Sequence, residues 1–152
     1  METTRSIEID QPIEVVFDYT LSNVSEWSIF VVEDEVTSAG PVEMGTTFHT
    51  ITEERGERVE FDGRVTKHEP PTAHSVVMQG KQFRMEVNYT FTENDNRTQV
   101  TQHSQVHAKG FLKVMFALFG WAMKKSGCDA LDKELASLKK CCEEKTTTNV
   151  SP

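Results

Sequence analysis

Alternation of apolar and polar side chains is the main signal in the first two thirds of the chain. It is clearest near residue 87, where every second side chain is apolar: Phe83, Met85, Val87, Tyr89 and Phe91. Such alternation is typical of a strand with one face towards a core and the other towards water. Shorter stretches of the same kind, separated by turns rich in Gly, Pro and Asn, predict about seven strands in a mostly antiparallel sheet.

Beyond residue 109 the apolar period changes to three or four residues. The stripe is Leu112, Phe116, Phe119, Met123, Gly127, Leu131, Leu135, Leu138 and Cys142. One helix over this stretch would be on the order of 50 Å long, enough to lie across a whole sheet. Two short helices are predicted directly after the first strand. The fold class is therefore α+β, with a single domain over residues 1–143 and a flexible tail over 144–152.

Composition narrows the class of protein. The 152 residues suit one domain, and 16 basic against 24 acidic side chains give a net charge of −8, which argues against a nucleic-acid partner. Neither an apolar run of about 20 residues nor a signal-peptide core is present, so we expect a cytoplasmic protein. The three cysteines all follow residue 127, which is not a disulfide framework.

Established catalytic and metal-binding motifs are missing from the sequence. There is no zinc-protease or zinc-deaminase pattern, nucleophile elbow or phosphate-binding loop. His103 and His107 would lie about 13 Å apart on a strand, too far to share one ion. His68 and His74 flank the Pro70-Pro71 turn and could meet across it. We therefore predict no metal, no cofactor and no catalytic residue, and leave open whether the protein is an enzyme.

The order of elements and several short motifs resemble the helix-grip fold of the START-related, polyketide cyclase and dehydrase-like superfamily (SRPBCC). The motifs are Ile7-Glu8-Ile9, Pro12 to Phe17, Trp27, Met44-Gly45-Thr46, Glu69-Pro70-Pro71 and the closing Leu131-x-x-Glu134-Leu135-x-x-Leu138-Lys139. The resemblance implies a curved sheet of about seven antiparallel strands wrapped around the C-terminal helix. It also implies a cavity between sheet and helix, but no particular reaction, because this superfamily has no obligatory catalytic signature.

Polar side chains at inward positions of the sheet are the best candidates for ligand contacts. Val100 and Val106 mark the inward face of the last strand, which would also carry Gln102 and Ser104, and Tyr89 lies on the inward face of the preceding strand. Buried polar atoms need partners, and a ligand can provide them. The alternatives are that these groups satisfy one another, or that a bulge turns residues 101, 103 and 105 inwards instead.

Large apolar side chains would form the rest of the cavity wall. The candidates are Trp27, Phe48, Phe61, Phe83, Met85, Phe116, Phe119 and Met123. Side chains of this kind are more often ordinary core, and in a grip fold the core also forms the wall of the cavity. A solidly packed interior would contradict the binding hypothesis.

The segment 111–123 is apolar on every side of the helix. Eleven of its 13 residues are apolar, and Lys109, Lys113, Lys124 and Lys125 bracket it. Such a helix needs cover all round, which the rest of the domain, a second subunit or a membrane surface could provide.

These observations predict a protein that binds a small hydrophobic or amphipathic ligand between sheet and helix, as a carrier or sequestering protein. Two alternatives remain. One is a cyclase- or dehydrase-like enzyme acting on a hydrophobic substrate, and the other is a regulatory module that uses the 111–123 surface.

Overall fold

The structure is a computed structural model that describes the backbone of residues 2–54 and 56–150. Side chains are described for the same residues except 111–112, 115–117, 119–123 and 146–150. The elements are β1 (Glu2–Ile9), α1 (Ile13–Ser22), α2 (Val24–Trp27), β2 (Val31–Val36), β3 (Thr47–Glu54), β4 (Glu57–Glu69), β5 (Ala73–Gln79), β6 (Phe83–Asn94), β7 (Arg97–Ala108) and α3 (Phe111–Val150). The predicted order of one strand, two short helices, six strands and one long helix is confirmed.

Across residues 2–54 and 56–150, the seven strands form one curved antiparallel sheet in the order β1-β7-β6-β5-β4-β3-β2. Strands β2 to β7 follow each other as a meander, and β1 pairs with the last strand. The β6–β7 connection is tight because Asp95 and Asn96 both adopt positive φ angles, 52° and 62°. A two-residue turn with this geometry matches the twist of the flanking strands and fixes their register.

The main apolar core lies under the second half of α3. There, Leu131, Leu135, Leu138 and Cys142 follow the predicted stripe and pack against β1, α1 and the indole of Trp27. Trp27 is 2% exposed, and its indole N–H donates to the carbonyl of Thr20 at 3.0 Å. Because this core occupies one part of the sheet, the remaining concave face is only partly covered.

Helix α3 ends later than its apolar stripe predicts, continuing past Cys142 to Val150. Two ion pairs support this extension: Lys139 with Glu143 at 2.8 Å, one turn apart, and Lys145 with Glu26 of α2 at 2.9 Å. Charged residues of this kind are good helix formers even without an apolar face. The division into a domain and a tail stays a prediction.

Candidate ligand-binding site

A cavity lies between the concave face of the sheet and α3. It has a larger lobe of about 240 Å³ under α3 and a smaller lobe of about 150 Å³ beside it, whose described lining comes from the sheet, α1, α2 and the loop before β3. The lobes share six lining residues, so they are neighbouring parts of one space: Val24, Val31, Thr50, Met78, Val87 and Tyr89. Most of the wall is apolar, with a few polar groups from β2, β3, β5, β6, β7 and α3. This is the usual make-up of a pocket for a small organic molecule.

The structure brings most of the sequence-predicted residues together. Six of them line the larger lobe: Trp27, Phe61, Met85, Tyr89, Gln102 and Ser104. Phe48 lines the smaller lobe. Phe83 lies beside the wall rather than in it, with its ring 5.4 Å from that of Phe61. The side chains of Phe116, Phe119 and Met123 lie outside the described residues.

Strand β7 places two polar side chains inside the larger lobe. Gln102 and Ser104 are 8% and 7% exposed, and the pairing of β7 with β6 runs without a bulge from Arg97 to Ala108. The alternative orientation, with residues 101, 103 and 105 inside, is therefore wrong. The amide of Gln102 donates from Nε2 to Ser104 Oγ at 3.2 Å. Its Oε1 atom is buried and has no hydrogen-bond partner among the described residues.

An unpartnered buried acceptor is unusual and costs free energy, because the amide oxygen has lost its water without gaining a donor. Gln102 is opposite Tyr89 on β6, so the two polar groups are neighbours on the inner face. Burial raises the pKa of the Tyr89 phenol, and the charge of Glu134 raises it further. The phenol therefore stays protonated and can donate a hydrogen bond into the cavity.

Glu134 is the main site residue that the sequence analysis did not identify. It projects from α3 into the larger lobe and is 7% exposed. The backbone N–H of Ile29 donates to its Oε1 at 3.2 Å. Burial raises the pKa of this carboxyl to about 7, although hydrogen bonds from Ser28 and Ile29 oppose the shift. Glu134 therefore sits at the boundary between its neutral and charged forms near neutral pH.

A signal for Glu134 is present in the sequence. Leu131, Leu135 and Leu138 form the buried stripe, and position 134 falls inside it, three residues after one leucine and four before another. A charged residue at such a position faces the interior of the protein. The same reasoning that identified Gln102 on a strand would have identified Glu134 on the helix.

The smaller lobe carries its own polar groups, which the sequence analysis also missed. Asp34 lines its wall because a bulge in β2, between Val31 and Glu33, shifts the alternation of that strand. Partial burial raises the pKa of Asp34, while a hydrogen bond from the Thr50 hydroxyl opposes the shift. Both lobes thus contain a carboxyl group.

Two of the histidines form a pair at the edge of the site, and His74 also lines the smaller lobe. His68 and His74 meet across the Pro70-Pro71 turn, with their Nδ1 atoms 3.0 Å apart. Burial and the neighbouring His68 lower the pKa of His74 to about 4, so it is neutral at physiological pH. Among the described residues, no group of three or more His, Cys, Asp or Glu side chains is placed to hold a metal ion.

Part of the apolar segment 111–123 faces solvent. Val114 is 54% exposed and Leu118, one turn later, is 66% exposed. Among the described residues, no helix is both long enough and apolar enough to cross a membrane. Contact of this segment with a membrane surface or a second copy of the chain stays a prediction.

Comparison with known proteins identifies the family of this chain. Residues 1–143 match the model of the family described as polyketide cyclase / dehydrase and lipid transport. The chain belongs to this family. Membership confirms the resemblance to the START-related superfamily. None of the curated proteins matches the chain in sequence.

Solved structures of low sequence identity share the fold. The protein TTHA0849 from Thermus thermophilus is 16% identical, with a TM-score of 0.78 over 99% of this chain and 100% of that one. A START superfamily protein from Mycobacterium smegmatis is 14% identical, with a TM-score of 0.77 over 94% and 97%. The Zhui aromatase/cyclase from Streptomyces sp. R1128 is 12% identical, with a TM-score of 0.71 over 96% and 95%. These likenesses confirm the helix-grip fold.

Proposed function

We propose that this protein binds a small hydrophobic or amphipathic molecule in the cavity between sheet and α3, as a carrier or sequestering protein. Family membership supports the general class, since the family description includes lipid transport. The observation that carries the proposal is the cavity itself, whose apolar walls surround an amide oxygen with no partner among the described residues. A bound molecule would cover the walls and supply the missing hydrogen bond.

An enzymatic role is the second candidate, and Glu134 is the observation that favours it. A general acid or base works best when its pKa is close to the working pH, and burial holds the pKa of Glu134 at about 7. Tyr89 in the same lobe is a phenol that stays protonated. An aromatase/cyclase shares the fold, although that likeness alone says nothing about chemistry in this chain.

A purely structural interaction module fits less well. Such a protein would fill its interior, whereas here the interior is open. The open interior therefore favours ligand binding over this third alternative.

A substitution on α3 that fills the larger lobe tests this proposal. Ala130 lines the larger lobe, and Ala136 lies on the same helix but is exposed. We expect the native protein to bind the uncharged fluorescent probe N-phenyl-1-naphthylamine, and Ala130→Trp to weaken that binding at least about tenfold, because the indole takes the space of the probe. Fluorescence titration measures both affinities.

Ala136→Trp is the matched control, since it adds the same side chain to the outside of α3 and should bind the probe like the native protein. Equal binding by all three proteins would contradict the proposal, because the probe would then sit elsewhere. Mass spectrometry separates the two candidate functions. A molecule that co-purifies with the protein is extracted, identified and incubated with fresh protein: a carrier returns it unchanged, and an enzyme converts it to a product of different mass or structure.

A further inference from the structure

Glu134 and Gln102 both line the larger lobe and both lie near Tyr89: Gln102 is opposite Tyr89 on the neighbouring strand, and the charge of Glu134 acts on its phenol. We call these two acceptor groups the polar end of the lobe. Glu134 contributes a buried carboxyl group, and Gln102 contributes an amide oxygen that has no partner among the described residues. Asp34 adds a second carboxyl in the neighbouring lobe. All three groups can accept hydrogen bonds, and the two carboxyls attract positive charge.

The described lining of the cavity offers Glu134 no positive charge. The described lining of both lobes contains no Lys or Arg. In the first half of α3, the residues whose side chains are not described are apolar or Gly by sequence: 111, 112, 115–117 and 119–123. The buried carboxyl of Glu134 therefore has backbone and hydroxyl donors but no cationic partner among the described residues. Buried carboxylates are normally paired with a positive charge.

We propose that the polar end of the larger lobe, formed by Glu134 and Gln102, is a subsite for the protonated amino group of a hydrophobic amine. This proposal rests on the ligand-binding function above and names its ligand class. An ammonium group has three N–H donors, so one group can pair with the carboxylate and also donate to Gln102 Oε1. The apolar tail then lies along the wall formed by Phe61, Met85 and Val87.

A fatty-acid anion fits this end poorly. Its carboxylate would face another carboxyl and an amide oxygen. The Tyr89 phenol could donate one hydrogen bond to it, but no basic side chain in the described lining would neutralise its charge. A neutral alcohol can satisfy Gln102 but adds no charge pairing with Glu134. The geometry therefore predicts an order of affinity in which the amine is first and the carboxylate last.

The experiment displaces N-phenyl-1-naphthylamine with ligands that share one tail: dodecylamine, dodecanol, dodecanoate and dodecyltrimethylammonium. It is run at pH 8, below the micelle concentrations, in 0.3 M NaCl to screen the net charge of −8. We expect dodecylamine to compete at about tenfold lower concentration than dodecanol, and dodecanoate to be weakest. The trimethylammonium compound has the charge without N–H donors and should fall between amine and alcohol.

Two variants assign the effect to the subsite. Glu134→Gln and Gln102→Met keep the side-chain size and should each reduce the advantage of the amine over the alcohol to less than threefold. Asp129→Asn removes a carboxyl from the exposed side of the same helix and should keep the full advantage. Comparing two competitors on one protein cancels any change in the affinity of the probe itself.

The outcomes separate this proposal from the one on which it rests. If the probe fails to bind, or binds equally to Ala130→Trp, the ligand-binding function fails and the amine subsite with it. If the probe binds in the cavity but dodecanoate or dodecanol competes as well as dodecylamine, only the amine subsite is overturned. An amine advantage that survives in both Glu134→Gln and Gln102→Met also overturns it.

Discussion

At the scale of single residues, Gln102 is placed where the proposed binding function and the stability of the fold make opposite demands. Its Oε1 atom is buried without a partner among the described residues, which costs free energy in the ligand-free protein. We expect Gln102→Met to raise the free energy of unfolding by about 1 kcal/mol, because a thioether of similar size needs no donor. Urea denaturation of the ligand-free protein measures the change.

Gln99→Met is the matched control for this prediction, because Gln99 is exposed on the same strand. It should change stability by less than about 0.5 kcal/mol. A stabilised Gln102→Met that also binds dodecylamine less well would indicate that the amide is kept for a ligand. A destabilised variant would mean that the hydrogen bond to Ser104 outweighs the unpartnered oxygen.

Residue patterns in the sequence predicted some of the polar groups of the cavity and missed others. Gln102 and Ser104 were predictable because a polar side chain at an inward strand position breaks a simple alternation. Glu134 breaks the helical stripe in the same way, but on a helix the period of 3.6 makes such a position harder to see. Asp34 could not be found by alternation, because the bulge in β2 moves it to the other face.

At the scale of elements, close contact between β3 and β4 shapes the smaller lobe. Gly63 lies opposite Phe48, and a Cβ atom added to Gly63 would come within 2.2 Å of the ring of Phe48. The ring therefore lies directly over the glycine. We expect Gly63→Ala to lower the free energy of unfolding by about 1–3 kcal/mol, because the ring must move off a packed position. Urea denaturation measures the loss.

A double-mutant cycle tests the cause of this loss. In a Phe48→Leu background the large ring is gone, so Gly63→Ala should cost much less than in the native background. Equal costs in the two backgrounds would show that the clash with Phe48 is not responsible, and that Gly63 matters for its backbone instead.

The elements themselves were largely predictable. Strands β4 and β6 carry clear alternation, β7 carries it with polar exceptions at Gln102 and Ser104, and α3 carries a long stripe, so their existence and order followed from periodicity. The end of α3 was not predictable, since the apolar stripe stops at Cys142 while ion pairs such as Lys145 with Glu26 support further turns. Those pairs depend on where α2 lies, which is tertiary information.

At the scale of the whole molecule, core and cavity divide the concave face of the sheet. The second half of α3 packs with α1, α2 and β1 into the main core, and the rest of the face lines the cavity. Glu134 and Trp27 lie where the two meet: Trp27 belongs to the core cluster and both line the larger lobe. The ionisation of Glu134 is therefore linked both to the stability of the fold and to the electrostatics of the cavity.

This linkage predicts how the stability of the whole protein depends on pH. The pKa of Glu134 rises on folding from 4.5 to about 7, so the folded state holds this proton more tightly than the unfolded chain does. The resulting stabilisation is present below pH 4.5 and is lost as pH rises through 7. A shift of this size corresponds to roughly 3 kcal/mol.

His74 acts in the opposite sense and shapes the acidic side of the profile. Its pKa falls on folding from 6.5 to about 4, so its contribution is present above pH 6.5 and is lost as pH falls towards 4. Because the two contributions overlap between pH 4.5 and 6.5, the native profile alone cannot separate them. A variant that removes only Glu134 can.

We expect Glu134→Gln to gain stability relative to the native protein by about 2–3 kcal/mol between pH 5 and pH 8, because the neutral amide never has to lose a proton inside the protein. Urea denaturation of both proteins at pH 5, 6, 7 and 8 measures this difference. Asp129→Asn controls for the loss of one negative charge from α3. If the difference between Glu134→Gln and the native protein stays constant with pH, Glu134 does not bind its proton more tightly in the folded state, and the predicted linkage is contradicted.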